Sequence, residues 1–291
     1  MSRTRTGSTA VVTGAGSGIG QALALRLAAS GSNVVCADIN LETAEATAAQ
    51  LRRQGASAIA VACDVTQLAQ VEALADAAVA AFGTVDLVIN NAGIGAGGRS
   101  IGEEPIATWR RTIDINLWGV IHGCHVFTPL LRAQGSGGII NLASAAGFAA
   151  APGMGPYNAS KAAVMSVSET LAAELAGSGV TVTVVCPTFV KTNIVADGDI
   201  EADSKQLASR LMAVSGRSPD SIASAILRGH AAGRSYVVPQ LEARAVWAAK
   251  RHAPRAYLAG SRLLGRAMKI GRQTAVPASD AATVRMNQEI S

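Results

Sequence analysis

The chain has 291 residues, of which 49% are hydrophobic and 15% charged, and its formal net charge is +5. This composition excludes a disordered chain, and the length is sufficient for one large domain with a substantial core. The positive charge is concentrated in residues 241–272, which carry +7, whereas residues 1–240 and 273–291 each carry −1. The body of the protein is therefore not expected to bind nucleic acid.

The beginning of the chain and its cysteines indicate the compartment. Residues 1–9 form a short polar stretch that does not resemble a signal peptide, and no run of about 18 apolar residues could span a membrane. The four cysteines are widely spaced and form no Cys-x-x-Cys motif, which favours a reducing compartment over a disulfide framework. We expect a cytoplasmic protein.

Short apolar runs rich in β-branched residues alternate with longer Ala-rich segments of helical length. The runs are Thr9–Thr13, Asn33–Ala37, Ala58–Ala62, Val85–Asn90, Gly138–Ala143, Val180–Cys186 and Ser235–Val238. Nearly continuous apolar runs are typical of strands covered on both faces. Their alternation with helices predicts an α/β fold over residues 1–240: a doubly wound, Rossmann-like parallel sheet of about seven strands, with helices on both faces.

A glycine-rich segment, Thr13–Gly20, follows the first run and opens a helix. Glycines let the backbone turn tightly and approach a pyrophosphate, which the helix N-terminus attracts. The common Gly-x-Gly-x-x-Gly spacing fails because position 19 is Ile, and the spacing that fits is Gly14-x-x-x-Gly18-x-Gly20. The segment predicts a dinucleotide-binding turn; the alternative is a strand-to-helix turn without a ligand.

Asp38 ends the second run, eighteen residues beyond Gly20. A carboxylate there can accept hydrogen bonds from both hydroxyls of an adenosine ribose, and it would repel a 2′-phosphate. Neither Ser17 nor Ile39 offers a positive charge to such a phosphate. The pattern favours NAD over NADP, the alternative being that Asp38 only caps a helix or a turn.

Polar residues also follow the third and fourth runs. Asp64-Val65 ends the third run, Asn90–Gly93 ends the fourth, and Asn116 lies on a following helix. Taken singly, each of these residues could equally be a cap or turn residue.

Tyr157 and Lys161 are four residues apart, about one helical turn, so a helix places both side chains on one face. A phenol with a pKa of about 10 is a poor proton donor or acceptor near neutrality, and an adjacent cation lowers that pKa. Ser144 lies thirteen residues upstream and could polarise a substrate oxygen. The three residues are the components of a proton-transfer site, although a Tyr-x-x-x-Lys pair alone is common on helices and usually has no such role.

Together, in this order and spacing, these motifs resemble the short-chain dehydrogenase/reductase family over roughly residues 8–240. The matching residues are Thr13–Gly20, Asp64, Asn90–Gly93, Asn116, Ser144, Tyr157, Lys161 and Pro187–Thr192. Thr188 stands where the family usually has a glycine after the proline, which is a departure on the nicotinamide side.

The resemblance implies a nicotinamide-dependent oxidoreductase with four catalytic residues. Tyr157 would exchange the proton with the substrate oxygen, while Lys161 would lower the tyrosine pKa and bind the nicotinamide ribose. Ser144 would hydrogen-bond the substrate oxygen, and Asn116 would hold a water in a proton relay. The family needs no metal.

The resemblance also implies the cofactor contacts. Gly14, Ser17 and Ile19 would line the pyrophosphate, Asp38 the adenosine ribose, Asp64 and Val65 the adenine, Asn90 the adjacent ribose, and Val190 and Thr192 the carboxamide. Further expected contacts in the same motifs are Gly18, Gly20, Ala92, Gly93, Pro187 and, with Lys161, Tyr157 itself. A homodimer or homotetramer is likewise implied.

Two further features could suggest a metal site or a different substrate class. His122 and His125 flank Cys124, but no further ligand pattern accompanies them, so we expect a packed or interface helix face rather than a metal site. The acids Asp197, Asp199 and Asp203 lie in a polar segment, residues 191–215, that we expect to form a lid. They leave open a polyol or sugar dehydrogenase, although loop acids usually face water.

The basic segment 241–272 is predicted to form two helices, because Pro254 breaks it. It either packs over the substrate cleft or a subunit interface, or lies on an anionic membrane surface. Related extensions on lipid-active family members suggest a secondary alcohol or ketone on a hydrophobic, steroid-, retinoid- or lipid-like molecule. A non-catalytic NAD-binding membrane scaffold is the third alternative. Residues 273–291 are expected to be a loose polar tail.

Overall fold

Seven parallel strands form the central sheet in the computed structural model, which describes residues 7–192, 194, 198–201, 205–206 and 216–268. The strands are β1 Thr9–Thr13, β2 Asn33–Asp38, β3 Ala58–Ala62, β4 Leu87–Asn90, β6 Gly137–Leu142, β7 Val180–Val185 and β9 Tyr236–Val237, in the order β3-β2-β1-β4-β6-β7-β9. A separate parallel pair joins β5, Ala96–Gly97, to β8, Asp199–Ile200.

Helices connect the strands. The described ones are α1 Gly18–Ala29, α2 Leu41–Arg53, α3 Leu68–Phe82, α4 Ile106–Ile113, α5 Gly119–Gln134, α6 Ala146–Ala149, α7 Gly155–Glu174, α8 Pro219–Ala231, α9 Leu241–His252 and α10 Pro254–Ala267. A π-helical turn, Asp114–Trp118, joins α4 to α5.

Consecutive residues of each central strand point into two separate apolar cores. On β1, Val11 packs with Phe127 of α5 on one face, while Val12 packs with Leu23 of α1 on the other. The helices α3, α5 and α7 cover the first face, and α1, α2 and α8 cover the second. The predicted doubly wound sheet with helices on both faces is therefore confirmed.

The direction of winding reverses between β1 and β4. From β1 the chain moves outward through β2 and β3, then returns to β4 on the other side of β1 and continues outward in the opposite direction. A crevice opens at the carboxyl ends of two strands separated by such a switch point. The glycine-rich turn after β1 and the Asn90–Gly93 segment after β4 border this crevice.

Several boundaries differ from the predicted ones. The fourth strand begins at Leu87 rather than Val85, because Asp86 uses its main-chain N–H and its carboxylate to bind Thr9 instead. The strand predicted at Ser235–Val238 contracts to two residues. The predicted lid falls mostly outside the described residues, together with Asp197, Asp203 and the tail 273–291; its described part includes β8.

The predicted break at Pro254 is present, with Pro254 in the first turn of α10. Helix α9 packs on the body: the Trp247 ring stacks on Phe148 with centroids 5.7 Å apart, and Lys250 Nζ donates to the Phe148 carbonyl at 2.7 Å. Helix α10 buries none of its residues. No helix among the described residues is long and apolar enough to cross a membrane.

Candidate active site

The glycine-rich turn takes a shape that only glycine supports at three positions. Gly14 and Gly18 have positive φ angles of +64° and +56°, in the left-handed region that other residues rarely adopt. At Gly20 a side chain would overlap the carbonyl oxygen of Gly14. Helix α1 therefore packs directly on the turn that leads into it.

This turn fits a pyrophosphate. Helix α1 begins at Gly18, and the side chain of Ser17, its N-cap residue, makes no capping hydrogen bond. First-turn N–H groups lack an intrahelical partner and carry the positive end of the helix dipole. With glycines allowing close approach, the residues predicted as contacts, Gly14, Ser17, Gly18 and Ile19, all lie in one turn whose shape suits an anion.

Asp38 lies at the carboxyl end of β2 and reaches back over the glycine-rich turn. Its Oδ2 accepts the N–H of Gly16 at 2.9 Å, and its Oδ1 accepts the N–H of Asn40 at 3.1 Å. The cap of α2 is Asn40, whose side chain accepts from Glu42 and Thr43. The alternative of Asp38 as a helix cap is therefore wrong, although its carboxylate does brace a turn.

The residues after β3 have local partners. Asp64 Oδ1 accepts from the N–H and the hydroxyl of Thr66 at 3.0 and 2.8 Å, so it does form a turn. Val65 is buried against Gly119, where a Cβ would lie 3.0 Å from the Val65 Cβ. Asp64 and Val65 lie beside the carboxyl end of β2, since the Cys63 N–H donates to the Asp38 carbonyl at 2.9 Å.

Asn90 points into the core rather than into the crevice. Its Nδ2 donates to Asn141 Oδ1 at 2.8 Å, and the side chain is buried beside Cys124. Any contact between Asn90 and a ribose would therefore have to be made by the main-chain atoms of Asn90. The reason is that the last residue of a parallel strand alternates like the others, and here the alternation directs it inward.

The three proton-transfer candidates converge at the carboxyl end of β6. Lys161 is 3% exposed, its Nζ donates to the Leu142 carbonyl at 2.8 Å, and it lies 5.9 Å from the centre of the Tyr157 ring. The Ser144 side chain lies within hydrogen-bonding reach of the Tyr157 hydroxyl, and Ser144 Oγ donates to the Pro187 carbonyl at 3.3 Å. Two hydroxyls and one buried ammonium group therefore meet on one side of the crevice.

Burial decides the pKa values in this cluster. It raises the pKa of Tyr157, an effect that the hydrogen bond with Ser144 partly offsets. It also lowers the pKa of Lys161 to about 8, because an ammonium group loses hydration there. Desolvation of the phenol therefore outweighs the hydrogen bond in the protein without cofactor, and the expected lowering of the tyrosine pKa by Lys161 stays a prediction.

Asn116 occupies the π-helical turn and is fully buried. Its Oδ1 accepts the N–H of Ile94 at 2.8 Å, and its Nδ2 donates to the Ile94 carbonyl at 2.9 Å and to Ser160 Oγ at 3.3 Å. The side-chain amide thus ties the π-helical turn to Ile94 and Ser160, and the relay water expected at Asn116 stays a prediction. Widened π turns are frequent at functional sites.

The segment after β7 crosses the crevice. The Pro187 carbonyl accepts from the Ala145 N–H at 2.9 Å and from Ser144 Oγ at 3.3 Å. At the other end, a Cβ on Gly18 would lie 3.0 Å from Thr192 Cγ2. The predicted residues Pro187, Val190 and Thr192 therefore span the distance from the catalytic hydroxyls to the glycine-rich turn.

Known proteins share this arrangement. A family model described as short chain dehydrogenase matches residues 8–202. The chain belongs to the short-chain dehydrogenase/reductase family. As a member, it is an oxidoreductase that acts on CH–OH groups with a nicotinamide cofactor.

Relatives and a solved structure agree with that membership. A crystal structure of a short-chain dehydrogenase/reductase from Burkholderia phymatum in complex with NAD aligns with a TM-score of 0.76 and 34% identity, over 93% of this chain and 98% of that one. The D-threitol dehydrogenase of Mycolicibacterium smegmatis is 41% identical over 65% of this chain and 72% of its own. The cyclohexanol dehydrogenase of Acinetobacter is 37% identical, with shares of 68% and 78%.

In this short-chain dehydrogenase the structure adds a residue that the sequence analysis did not assign. Asn91 Nδ2 donates to the carbonyls of Thr13 and Gly14 at 2.8 and 3.2 Å, and the Asn91 N–H donates to Thr13 Oγ1 at 3.0 Å. Asn91 therefore ties the β4 loop to the glycine-rich turn across the switch point. The Asn-Asn pair at positions 90–91 was visible in the sequence. The sequence did not show which of the two side-chain amides faces the glycine-rich turn and which faces the core.

Of the two histidines that flank Cys124 in this dehydrogenase, His122 has a structural partner. His122 Nδ1 lies 2.8 Å from the Val65 carbonyl oxygen, and His125 is exposed. Across the part of the chain that the structure describes, no three His, Cys, Asp or Glu side chains are placed to hold a metal ion.

Proposed function

We propose that this short-chain dehydrogenase interconverts a secondary alcohol and a ketone with NAD(H), using Tyr157 as the acid and base. The observation that carries the proposal is the placement of the Tyr157 and Ser144 hydroxyls with buried Lys161 beside the switch-point crevice. The glycine-rich turn and the two hydroxyls border the same crevice, which is the arrangement that a dinucleotide and its substrate would require.

The chain's own residues supply a proton path and orientation. When bound, the nicotinamide would supply the hydride chemistry. In oxidation Tyr157 would accept the alcohol proton, and Ser144 would hydrogen-bond the same oxygen. With a pKa of about 8, Lys161 remains mostly charged at neutral pH and would favour the phenolate. In reduction the same phenol would return the proton.

We propose NAD rather than NADP because of Asp38. Its carboxylate lies at the end of β2, already accepts two N–H groups on that side, and has the exposed apolar Ile39 as its neighbour. A 2′-phosphate at this edge would meet a fixed negative charge, and neither Ser17 nor Ile39 carries a charge to balance it. The solved relative with NAD bound is consistent with this choice.

For the substrate we propose a hydrophobic secondary alcohol or ketone, with a polyol or sugar as the alternative. The cyclohexanol dehydrogenase relative supports the first and the D-threitol dehydrogenase relative supports the second. Apolar side chains lie near the substrate side, since Ile101 and Trp109 flank Gly155, the first residue of the tyrosine helix. Family membership argues against the non-catalytic scaffold.

A panel of cyclic alcohols, steroids, long-chain alcohols, terpenols and polyols tests the proposal. We expect reduced-nicotinamide absorbance to appear with NAD+ and apolar secondary alcohols, and less with NADP+, because Asp38 repels the additional phosphate. Matched primary alcohols serve as controls. Faster turnover of polyols would replace the proposed substrate class, and inactivity with every alcohol and both cofactors would overturn the proposed reaction.

We propose a homodimer or homotetramer, a state that the family resemblance implies. Trp118 and Leu130, on or beside α5, are 48% and 41% exposed and would be covered in such an assembly. Cytoplasmic location remains a prediction from the sequence.

For the segment 241–272 we propose packing on the catalytic domain, with peripheral membrane contact as the alternative. Packing is supported by the α9 contacts of Trp247 and Lys250 with the α6 region. The alternative is supported by α10. Its exposed apolar residues are Leu258, Leu263 and Leu264, followed by Met268, and its basic residues are Arg255, Arg262 and Arg266.

Vesicle flotation distinguishes these alternatives. If the segment only packs, the wild-type chain and a variant with Leu263→Glu and Leu264→Glu should partition equally with phosphatidylserine vesicles, because no apolar face inserts. Neutral phosphatidylcholine vesicles are the control. Flotation of the wild type with anionic vesicles, lost in the variant, would establish the membrane contact instead.

A further inference from the structure

The segment Pro187–Thr192 lies where the reactive half of a dinucleotide must pass. It begins against Ser144 and ends at Gly18, the first residue of α1. A cofactor with its pyrophosphate at that helix N-terminus and its reactive ring within reach of Tyr157 must run alongside this segment. The backbone conformation of Pro187–Thr192 therefore bears directly on how the nicotinamide half is received.

Gln240 holds this segment from the C-terminal side. Its side chain is 1% exposed, and its Oε1 accepts the Thr188 N–H at 3.1 Å. Its Nε2 donates to the Phe189 carbonyl at 3.3 Å, which also accepts the Arg217 N–H at 3.2 Å. One amide thus binds a main-chain donor and a main-chain acceptor on adjacent residues.

Both bonds of Gln240 go to the backbone, so they fix a loop conformation rather than a side chain. A buried amide costs free energy unless its donor and acceptor are both paired, and an apolar side chain would fill the same space without that cost. Gln240 is itself anchored, because its carbonyl accepts the Arg244 N–H in the first turn of α9 at 3.3 Å. The catalytic domain and the C-terminal helices are joined at this residue.

Thr188 provides a second, more exposed link to the same helix. Its hydroxyl donates to Glu242 Oε1 at 2.9 Å, and Glu242 is exposed. A glycine at position 188 would lack this hydroxyl but would keep the N–H that Gln240 binds. The two links can therefore be tested separately.

We propose that Gln240 is a positioning residue that holds Pro187–Thr192 in the shape that receives the nicotinamide half of the cofactor. This inference rests on the proposed NAD-dependent function. If Gln240 has this role, the C-terminal segment affects cofactor binding, and it affects only the binding of the nicotinamide half. The adenosine half, which Asp38 and the glycine-rich turn would hold, lies beyond the reach of these hydrogen bonds.

The test compares NADH with ADP-ribose, which lacks the nicotinamide. Gln240→Met preserves length and volume but removes both hydrogen bonds. We expect NADH to bind about 10-fold more weakly to it, with ADP-ribose binding unchanged, because loss of two net hydrogen bonds is of that order. Glu242→Ala removes only the bond to the Thr188 hydroxyl, from outside the Pro187–Thr192 segment, and is expected to change neither affinity. Thermal unfolding of each variant without ligand reports any general destabilisation.

The binding measurements distinguish a selective effect of Gln240 on the nicotinamide half from a general effect or from none. Equal losses for NADH and ADP-ribose, or no loss for either, would overturn the role of Gln240. Gln240→Glu keeps the acceptor for Thr188 but sets an oxygen against the Phe189 carbonyl, so it should show the same selective loss if Gln240→Met does not fold. A wild-type chain that binds neither ligand would overturn the proposed cofactor, and the role of Gln240 with it.

Discussion

Replacing Tyr157 with Phe is expected to lower turnover by at least about 10²-fold while leaving cofactor binding intact, since only the proton-transferring oxygen is removed. The ring remains in its packed position, and Lys161 keeps its bond to the Leu142 carbonyl. Turnover with NAD+ and the best alcohol of the panel gives the effect, and fluorescence titration with NADH gives the affinity. Near-normal turnover of this variant would remove Tyr157 from the mechanism.

The pH dependence follows from the same residue. Because burial raises the pKa of Tyr157, the phenol is protonated at neutral pH before cofactor binds. Raising the pH increases the phenolate fraction, so alcohol oxidation should rise with pH, whereas ketone reduction, which needs the phenol, should not. Tyr236→Phe is the matched control: it makes the same chemical change at a tyrosine whose hydroxyl bonds Glu169. It should leave both profiles in place.

Replacing Asp38 with Ser and Ile39 with Arg is expected to reverse the cofactor preference. Hydrogen bonds to a charged group contribute about 1.5–3 kcal/mol, so their loss should lower kcat/KM for NAD about 10- to 100-fold. The introduced guanidinium can pair with a 2′-phosphate and should raise kcat/KM for NADP. The ratio of the two values of kcat/KM is the measurement.

Asp38 also braces the turn through Gly16 and Asn40, so the swap needs a control for folding. Asp38→Asn keeps an oxygen acceptor and removes the charge. It should weaken discrimination between the two cofactors with little change in thermal stability. A wild-type preference for NADP would contradict the assigned role of Asp38 directly.

The sheet was predictable because its signals are local. Runs such as residues 34–37 are apolar on both faces, and the glycines at 14, 18 and 20 mark a turn whose backbone excludes side chains. The positions of Ser144, Tyr157 and Lys161 could likewise be predicted, since β6 and α7 bring them to one edge of the sheet. Their common location follows from topology once the strands are known.

What the sequence could not give depends on distant partners. The direction of the Tyr157 pKa shift is set by the desolvation of its hydroxyl by the surrounding elements, and no spacing encodes that. The inward turn of Asn90 depends on Asn141, and the bond from Thr188 to Gln240 joins residues 52 positions apart. The sequence showed that Thr188 replaces the family's usual glycine. It did not show that Gln240 and Glu242 hydrogen-bond Thr188.

The contacts of α9 also set an order of events during synthesis. Ser144 and Tyr157 are made about a hundred residues before Trp247, which stacks on Phe148 between them in sequence. Until residues 240–252 have emerged from the ribosome, the loop between the two catalytic residues lacks Trp247 and Lys250, and Pro187–Thr192 lacks Gln240. The nascent chain can therefore assemble the six sheet strands up to β7 before its active site is complete.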